Sequence, residues 1–110
     1  MITIENATQN CKTLTLIFGI DYGGRDEIIR AIEAGARTEE EITNFTSRYA
    51  PDPEVILRPG GKKRLSNFLL WQSAYSELFF LDCLFPELTD SILDDVLGQY
   101  NLTIRNFGGN

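Results

Sequence analysis

The sequence predicts an α/β fold, a mostly parallel sheet with flanking helices, and three observations carry that prediction. A β-rich apolar run at residues 13–20 is followed by a glycine turn and then by Ile28, Ile29, Ala31 and Ile32 at helical spacing. A second short run, Val55-Ile56-Leu57, also ends in a glycine turn. A third, Glu77-Leu78-Phe79-Phe80-Leu81, follows an apolar stretch long enough for one or two helical turns. Strand, turn and helix in succession is the order of crossover units in a parallel sheet. With 110 residues, 43% hydrophobic and 11% aromatic, the chain has apolar surface for a single domain and no room for a second.

Each element has its own signal. Residues 1–9 read as the tail of a helix. Residues 13–20 are apolar enough to read as a central strand covered on both faces, which makes Leu14 and Leu16 core. Tyr22-Gly23-Gly24 breaks that strand, and a helix over residues 25–34 is stopped by Gly35. Thr38 with Glu41 three positions later is a capping-box signature for a helix over residues 38–47. Pro51-Asp52-Pro53 imposes an extended approach to the second strand, which ends where Arg58 begins. Phe68, Trp71 and Tyr75 read as core on a short helical segment. Thr89 caps the last helix, on which Ile92, Leu93, Val96, Leu97, Tyr100 and Ile104 form one apolar stripe.

Charge and residue absences narrow the function. The 16 acidic against 10 basic side chains give a net charge of −6, so nucleic acid is not an expected partner. Four of the ten basic residues, Arg58, Lys62, Lys63 and Arg64, nevertheless form one compact positive patch suited to a small anion. The sequence has no histidine, which excludes histidine-dependent triads and histidine-ligated zinc. Cys11 and Cys83 form neither a disulfide framework nor a metal-type spacing, so a reduced, cytoplasmic chain is expected. No apolar stretch approaches the ~20 residues that span a bilayer, and the opening residues lack the pattern of a signal peptide. A soluble protein with at most peripheral membrane contact is the expectation.

The stretch from Arg58 to Glu77 concentrates the chemistry. Guanidinium forks match phosphate oxygens bidentately, the Gly60-Gly61 step lets backbone N–H groups approach an anion, and the Ser66 hydroxyl adds a donor. Glu77 is a hard oxygen donor of the kind magnesium takes. Ligands of open α/β sheets collect at the carboxyl ends of strands, where both glycine turns fall. The two turns are therefore expected near each other, with Arg58, Arg64 and Ser66 converging beside Glu77. Ser66 also reads as the cap of the segment that begins at Asn67, a role compatible with anion binding.

That stretch resembles the signature of the cis-prenyltransferases. The resemblance extends to Tyr22-Gly23-Gly24-Arg25-Asp26-Glu27-Ile28, Pro51-Asp52-Pro53, Leu84-Phe85-Pro86 and Phe107-Gly108-Gly109, in order along nearly the whole chain. It implies a magnesium-dependent enzyme that adds isopentenyl diphosphate, in cis geometry, to an allylic prenyl diphosphate such as farnesyl diphosphate, giving a polyprenyl diphosphate lipid carrier. By motif position, Arg58, Arg64 and Ser66, with the backbone of Leu65, would hold isopentenyl diphosphate, and Glu77 would be a magnesium ligand. No residue is carried over as a catalytic group. The resemblance also implies a strand at residues 13–20 lining a tunnel for the growing prenyl chain. A homodimer is expected through the last helix and residues 79–85.

Members of that family are roughly twice as long, and their first half carries an Asp-Gly-Asn-Gly-Arg-Trp motif with a second magnesium-binding aspartate and the allylic pocket. This sequence contains none of it. The expectation is a single domain over residues 1–110 corresponding to the C-terminal half of the family fold, inactive alone, with exposed sheet edges that favour pairing with the missing N-terminal half. The segment between Gly24 and Pro51 is shorter than in typical members. The family's closing Arg-x-Gly corresponds here to Asn106-Phe107-Gly108, with Arg105 displaced by one, so Arg105 is not carried over. Two other classes stay open: a non-catalytic partner subunit of a cis-prenyltransferase, and an unrelated phosphate-binding α/β module.

Overall fold

Val55-Ile56-Leu57 and Leu78-Phe79-Phe80 are β-branched, aliphatic and aromatic residues that suit a pleated, half-buried surface, and both runs form strands. In the computed structural model, which describes residues 2–103, β1 (Val55–Arg58) and β2 (Glu77–Phe80) pair in parallel, Val55 opposite Glu77 and Arg58 opposite Phe80. Ile56 is buried at the centre of the pair. The α/β class expected from the sequence is the class observed.

Among the described residues four helices accompany this sheet: α1 (Ile2–Thr8), α2 (Gly24–Glu33), α3 (Glu39–Thr46) and α4 (Asp90–Leu102), with a 3₁₀ turn at Phe85–Glu87. In α2, Gly24, Glu27 and Ala31 share one buried face because positions three and four apart stack on a helix. Thr38 caps α3 by accepting from Glu41 N at 3.2 Å. Glu41 returns its carboxylate to the N–H of Arg37 instead of Thr38, so the box closes one residue early. Thr89 caps α4 in the same way through Ile92 N. Among the described residues no helix is long and apolar enough to cross a membrane.

Four expectations are corrected. Residues 13–20 join no strand: the sheet described has two strands, β1 and β2, and Leu14 is 80% exposed instead of core. A strand exists only with a partner ladder. Ile17 and Phe18 instead line a cavity together with Pro51 and Pro53, and among the described residues no strand pairs with this segment. Residues 68–75 form successive turns and not a helix, because Asn67 and Leu69 have φ of 66° and 49°, which breaks the right-handed ladder. Phe68 and Tyr75 are consequently exposed, whereas Trp71 is half-buried and donates Nε1–H to Thr43 Oγ1 on α3 at 2.9 Å. The stripe on α4 is split: Val96 is 4% exposed and Leu97 54%, so Ile92, Val96 and Tyr100 face inward and Leu93 and Leu97 do not. Ile104, Arg105 and the Phe107-Gly108-Gly109 motif lie outside the described residues.

Candidate functional site

Arg58 is the last residue of β1, so its half-buried side chain leaves the sheet at the carboxyl end. Its carbonyl accepts from Leu81 N at 2.8 Å, which continues the ladder one step past β2. The chain then turns at Gly60 and Gly61, whose φ values of 109° and 78° belong to the region that L side chains avoid. Gly60 N donates to Cys83 O at 2.8 Å and Gly61 N to Leu81 O at 2.9 Å. Both amides are committed to the chain leaving β2. The expected Gly60-Gly61 cradle for an anion is therefore a brace, and the side-chain donors on this loop are Arg58, Lys62, Lys63, Arg64 and Ser66.

Lys62, Lys63, Arg64 and Ser66 are exposed, and Leu65 is half-buried with its carbonyl accepting from Phe68 N at 3.1 Å. Ser66 has φ 52°, so it does not cap a helix: none follows it. Its neighbour Asn67 reaches the Gly23-Gly24 turn instead. Gly24 N donates to Asn67 O at 2.7 Å and Arg25 N to Asn67 Oδ1 at 2.9 Å. The segment after Ser66 thus docks on the first glycine turn, while the second turn docks on the exit of β2.

Glu77 opens β2 and is half-buried. Opposite Val55, it sits at the amino end of the pair whose carboxyl end carries Arg58. Three residue steps of ~3.3 Å place the two about 10 Å apart along the strands. Direct juxtaposition of Glu77 with the arginines is not what the register produces. Two ion pairs exist among the described residues, Arg30–Asp26 and Arg48–Glu27, and neither involves Arg58, Arg64 or Glu77. Among the described residues no three His, Cys, Asp or Glu side chains gather as a metal cluster.

A second constellation escaped the sequence reading. Glu27 and Gln72 are 8% and 6% exposed, the most buried polar side chains on α2 and the 68–75 turns. Glu27 Oε1 accepts from Tyr22 O–H and Gln72 Nε2, both at 2.7 Å, and Oε2 accepts from Arg48 Nη1 at 3.0 Å. Burial disfavours the charged carboxyl, but the hydrogen bonds from Tyr22, Gln72 and Arg48 outweigh it and hold Glu27 below its usual range. Burial, together with the bond to Glu27, pushes Tyr22 up to about 12. The signal was present as a carboxylate on the Gly24–Ala31 face and an amide within Phe68-Leu69-Leu70-Trp71-Gln72. This network borders a cavity of about 570 Å³ whose walls include Ile17, Phe18, Pro51 and Phe68. None of Arg58, Arg64, Leu65, Ser66 or Glu77 lines that cavity.

Residues 1–108 match the family model described as "Putative undecaprenyl diphosphate synthase". The chain belongs to the undecaprenyl diphosphate synthase family. It is 42% identical over 113 residues to an isoprenyl transferase of Wolinella succinogenes, covering 97% of this chain and 50% of that protein. An isoprenyl transferase of Aquifex aeolicus is 39% identical over 115 residues, covering 98% and 50%. Among solved structures, a probable undecaprenyl diphosphate synthase from Campylobacter jejuni superposes with a TM-score of 0.84 at 39% identity, over 97% of this chain and 53% of that one. Lavandulyl diphosphate synthase from Lavandula x intermedia, in complex with dimethylallyl diphosphate, superposes with a TM-score of 0.87 at 29% identity, over 97% and 52%. The chain spans about half the length of the curated relatives it matches.

Proposed function

We propose that this chain provides the isopentenyl diphosphate side of a cis-prenyl transfer that extends an allylic diphosphate such as farnesyl diphosphate into a polyprenyl diphosphate. In that reaction the allylic C–O bond breaks with loss of diphosphate, the alkene carbon bonds to the allylic carbon, and a proton leaves. The reacting alkene is uncharged and the tail of isopentenyl diphosphate is not, so fixing the tail positions the alkene. Arg58, Arg64 and Ser66, with the Leu65 backbone alongside, are assigned that role. The observation that carries this reading is an intact Arg58, Arg64, Ser66 and Glu77 set within the family match, on the loop that leaves the carboxyl end of β1.

A magnesium ion fits the donor chemistry of Glu77, since magnesium binds through one or two carboxylates together with substrate phosphates and water. When bound it neutralises charge on the departing diphosphate. Remaining ligands would come from the diphosphates and from the half of the family fold outside this span. That half, on this polypeptide or on another, is also assigned the allylic pocket, so residues 1–110 by themselves are inactive. The active form is a homodimer working in the cytoplasm or at a membrane surface.

The test is incorporation of labelled isopentenyl diphosphate with farnesyl diphosphate, by residues 1–110 alone and with the other half present. Turnover only in the second case, abolished by Arg58→Ala with Arg64→Ala, supports the reading. Turnover by residues 1–110 alone defeats the half-site assignment, and full activity in the double variant defeats the assignment of the arginines.

A further inference from the structure

We infer that Asn67 is a positioning residue for the Arg64–Ser66 segment, with the Gly23-Gly24 turn as its socket. The inference rests on the proposed role of Arg64 and Ser66 as diphosphate donors. It starts from backbone strain. Ser66, Asn67 and Leu69 have φ of 52°, 66° and 49°, three non-glycine residues in the left-handed region within four positions. Asparagine is among the residues that enter this region most readily; serine and leucine are not favoured there. Such a segment keeps its shape only where its surroundings over-determine it.

Asn67 supplies that constraint. Its carbonyl accepts from Gly24 N at 2.7 Å and its Oδ1 from Arg25 N at 2.9 Å, so one residue takes two amides at the start of α2. These amides have no partner within their own helix, which makes the bonds additive to the fold. The socket is shaped to match. A Cβ on Gly23 would lie 2.9 Å from Asn67 Nδ2. A Cβ on Gly24 would lie 2.8 Å from Leu70 Cγ and 3.0 Å from Asn67 O. Close approach to the backbone of the 67–70 segment therefore demands glycine at 24, whereas at 23 only the Asn67 amide tip stands in the way. The Ser66 side chain, one residue before the anchor, takes its direction from it.

The consequence concerns affinity for isopentenyl diphosphate more than turnover. In the protein carrying this chain together with the other half of the family fold, Asn67→Ala raises KM for isopentenyl diphosphate about fivefold to twentyfold, the loss of one well-placed hydrogen bond plus its conformational bias. Turnover and KM for the allylic diphosphate stay within about twofold, a change below the worth of one such bond. Asn67→Asp, which keeps the acceptor and tolerates left-handed φ, restores most of the affinity. Gly24→Ala, which displaces the same segment from the other side, reproduces the defect. Amide hydrogen exchange at Arg25 accelerates in Asn67→Ala and recovers in Asn67→Asp. Wild-type KM in folded Asn67→Ala and Gly24→Ala, while Arg58→Ala and Arg64→Ala lose affinity, overturns the inference and leaves the proposed function standing. Equal loss of affinity for both substrates, without recovery in Asn67→Asp, overturns it too. Unchanged affinity in the two arginine variants overturns the proposed function and this inference with it.

Discussion

Gln72 Nε2 donates to Glu27 Oε1 at 2.7 Å across 45 positions of sequence, and both side chains are buried. The bond joins α2 to the turns that follow the basic loop. Arg48, after α3, and Tyr22, before α2, meet the same carboxylate. Gln72 Oε1 is buried without a hydrogen-bond partner among the described residues, so the amide is held there by its donor side, with a longer 3.4 Å contact from Nε2 to Thr46 O.

Removing the acceptor therefore leaves the Tyr22 hydroxyl without its acceptor and Gln72 Nε2 with only the long Thr46 O contact, while Arg48 Nη1 keeps its 2.7 Å bond to Phe45 O. Glu27→Ala should cost about 2–3 kcal/mol, within the range for a buried polar group left unpaired, and less than a fully buried ion pair because Arg48 is partly exposed. Gln72→Leu, which removes an orphaned oxygen along with one donor, should cost clearly less. Urea unfolding of both variants checks the order; a larger loss in Gln72→Leu contradicts it.

The same network sets a pH signature. Glu27 has a lowered folded pKa, so its contribution to stability is fully present above the unfolded carboxyl value, ~4.3, and is lost as pH falls through the folded one. Tyr22 is raised to about 12, so its contribution is present below the unfolded value, ~10, and is lost as pH climbs towards 12. Tyrosinate absorbance should show one late-titrating residue that vanishes in Tyr22→Phe, and the acid limb of the stability curve should flatten in Glu27→Gln.

For the proposed reaction, Arg58→Ala and Arg64→Ala should each raise KM for isopentenyl diphosphate about tenfold to a hundredfold, the worth of a charge-assisted hydrogen bond. Glu77→Gln should shift the magnesium concentration for half activity upward by at least ~10-fold while changing substrate KM less. Steady-state kinetics at varied magnesium separates the two roles.

The Gly60-Gly61 turn gives a prediction free of side-chain contacts. A Cβ on Gly60 meets nothing within 4 Å, so Gly60→Ala is penalised by its φ of 109° alone. The expected loss is about 1–2 kcal/mol. An unfolding midpoint equal to the parent's would contradict the turn geometry.

The split face of α4 decides which residues test the proposed dimer. Leu93 and Leu97 are exposed in the chain, whereas Val96 is packed within it. Leu93→Asp with Leu97→Asp should yield folded monomers by sedimentation. Val96→Asp should unfold the chain instead, since an unpaired carboxylate would be buried.

What was legible in advance followed from short-range physics. The threonine caps of α3 and α4, the glycine break before α2, the strands at Val55 and Glu77, and the basic loop after Arg58 are each written within a few neighbouring residues. The residues 13–20 misled because apolar β-rich composition describes a strand's surface but cannot supply its partner. Phe68 to Tyr75 misled because helical spacing was read without the left-handed backbone at Asn67 and Leu69.

By itself, then, the sequence determined the class of fold, the order of the four helices and two strands that form among the described residues, the family and the donor set proposed for a diphosphate. Only the tertiary structure decided that Gly60 and Gly61 spend their amides on the chain leaving β2, that Glu77 and Arg58 stand at opposite ends of one ladder, and that Glu27 is buried under three donors. The reason is range. Caps, turns and periodicity are set by torsions and neighbours along the chain, whereas burial, register and the pairing of polar groups depend on residues far apart in sequence that meet only when the chain folds.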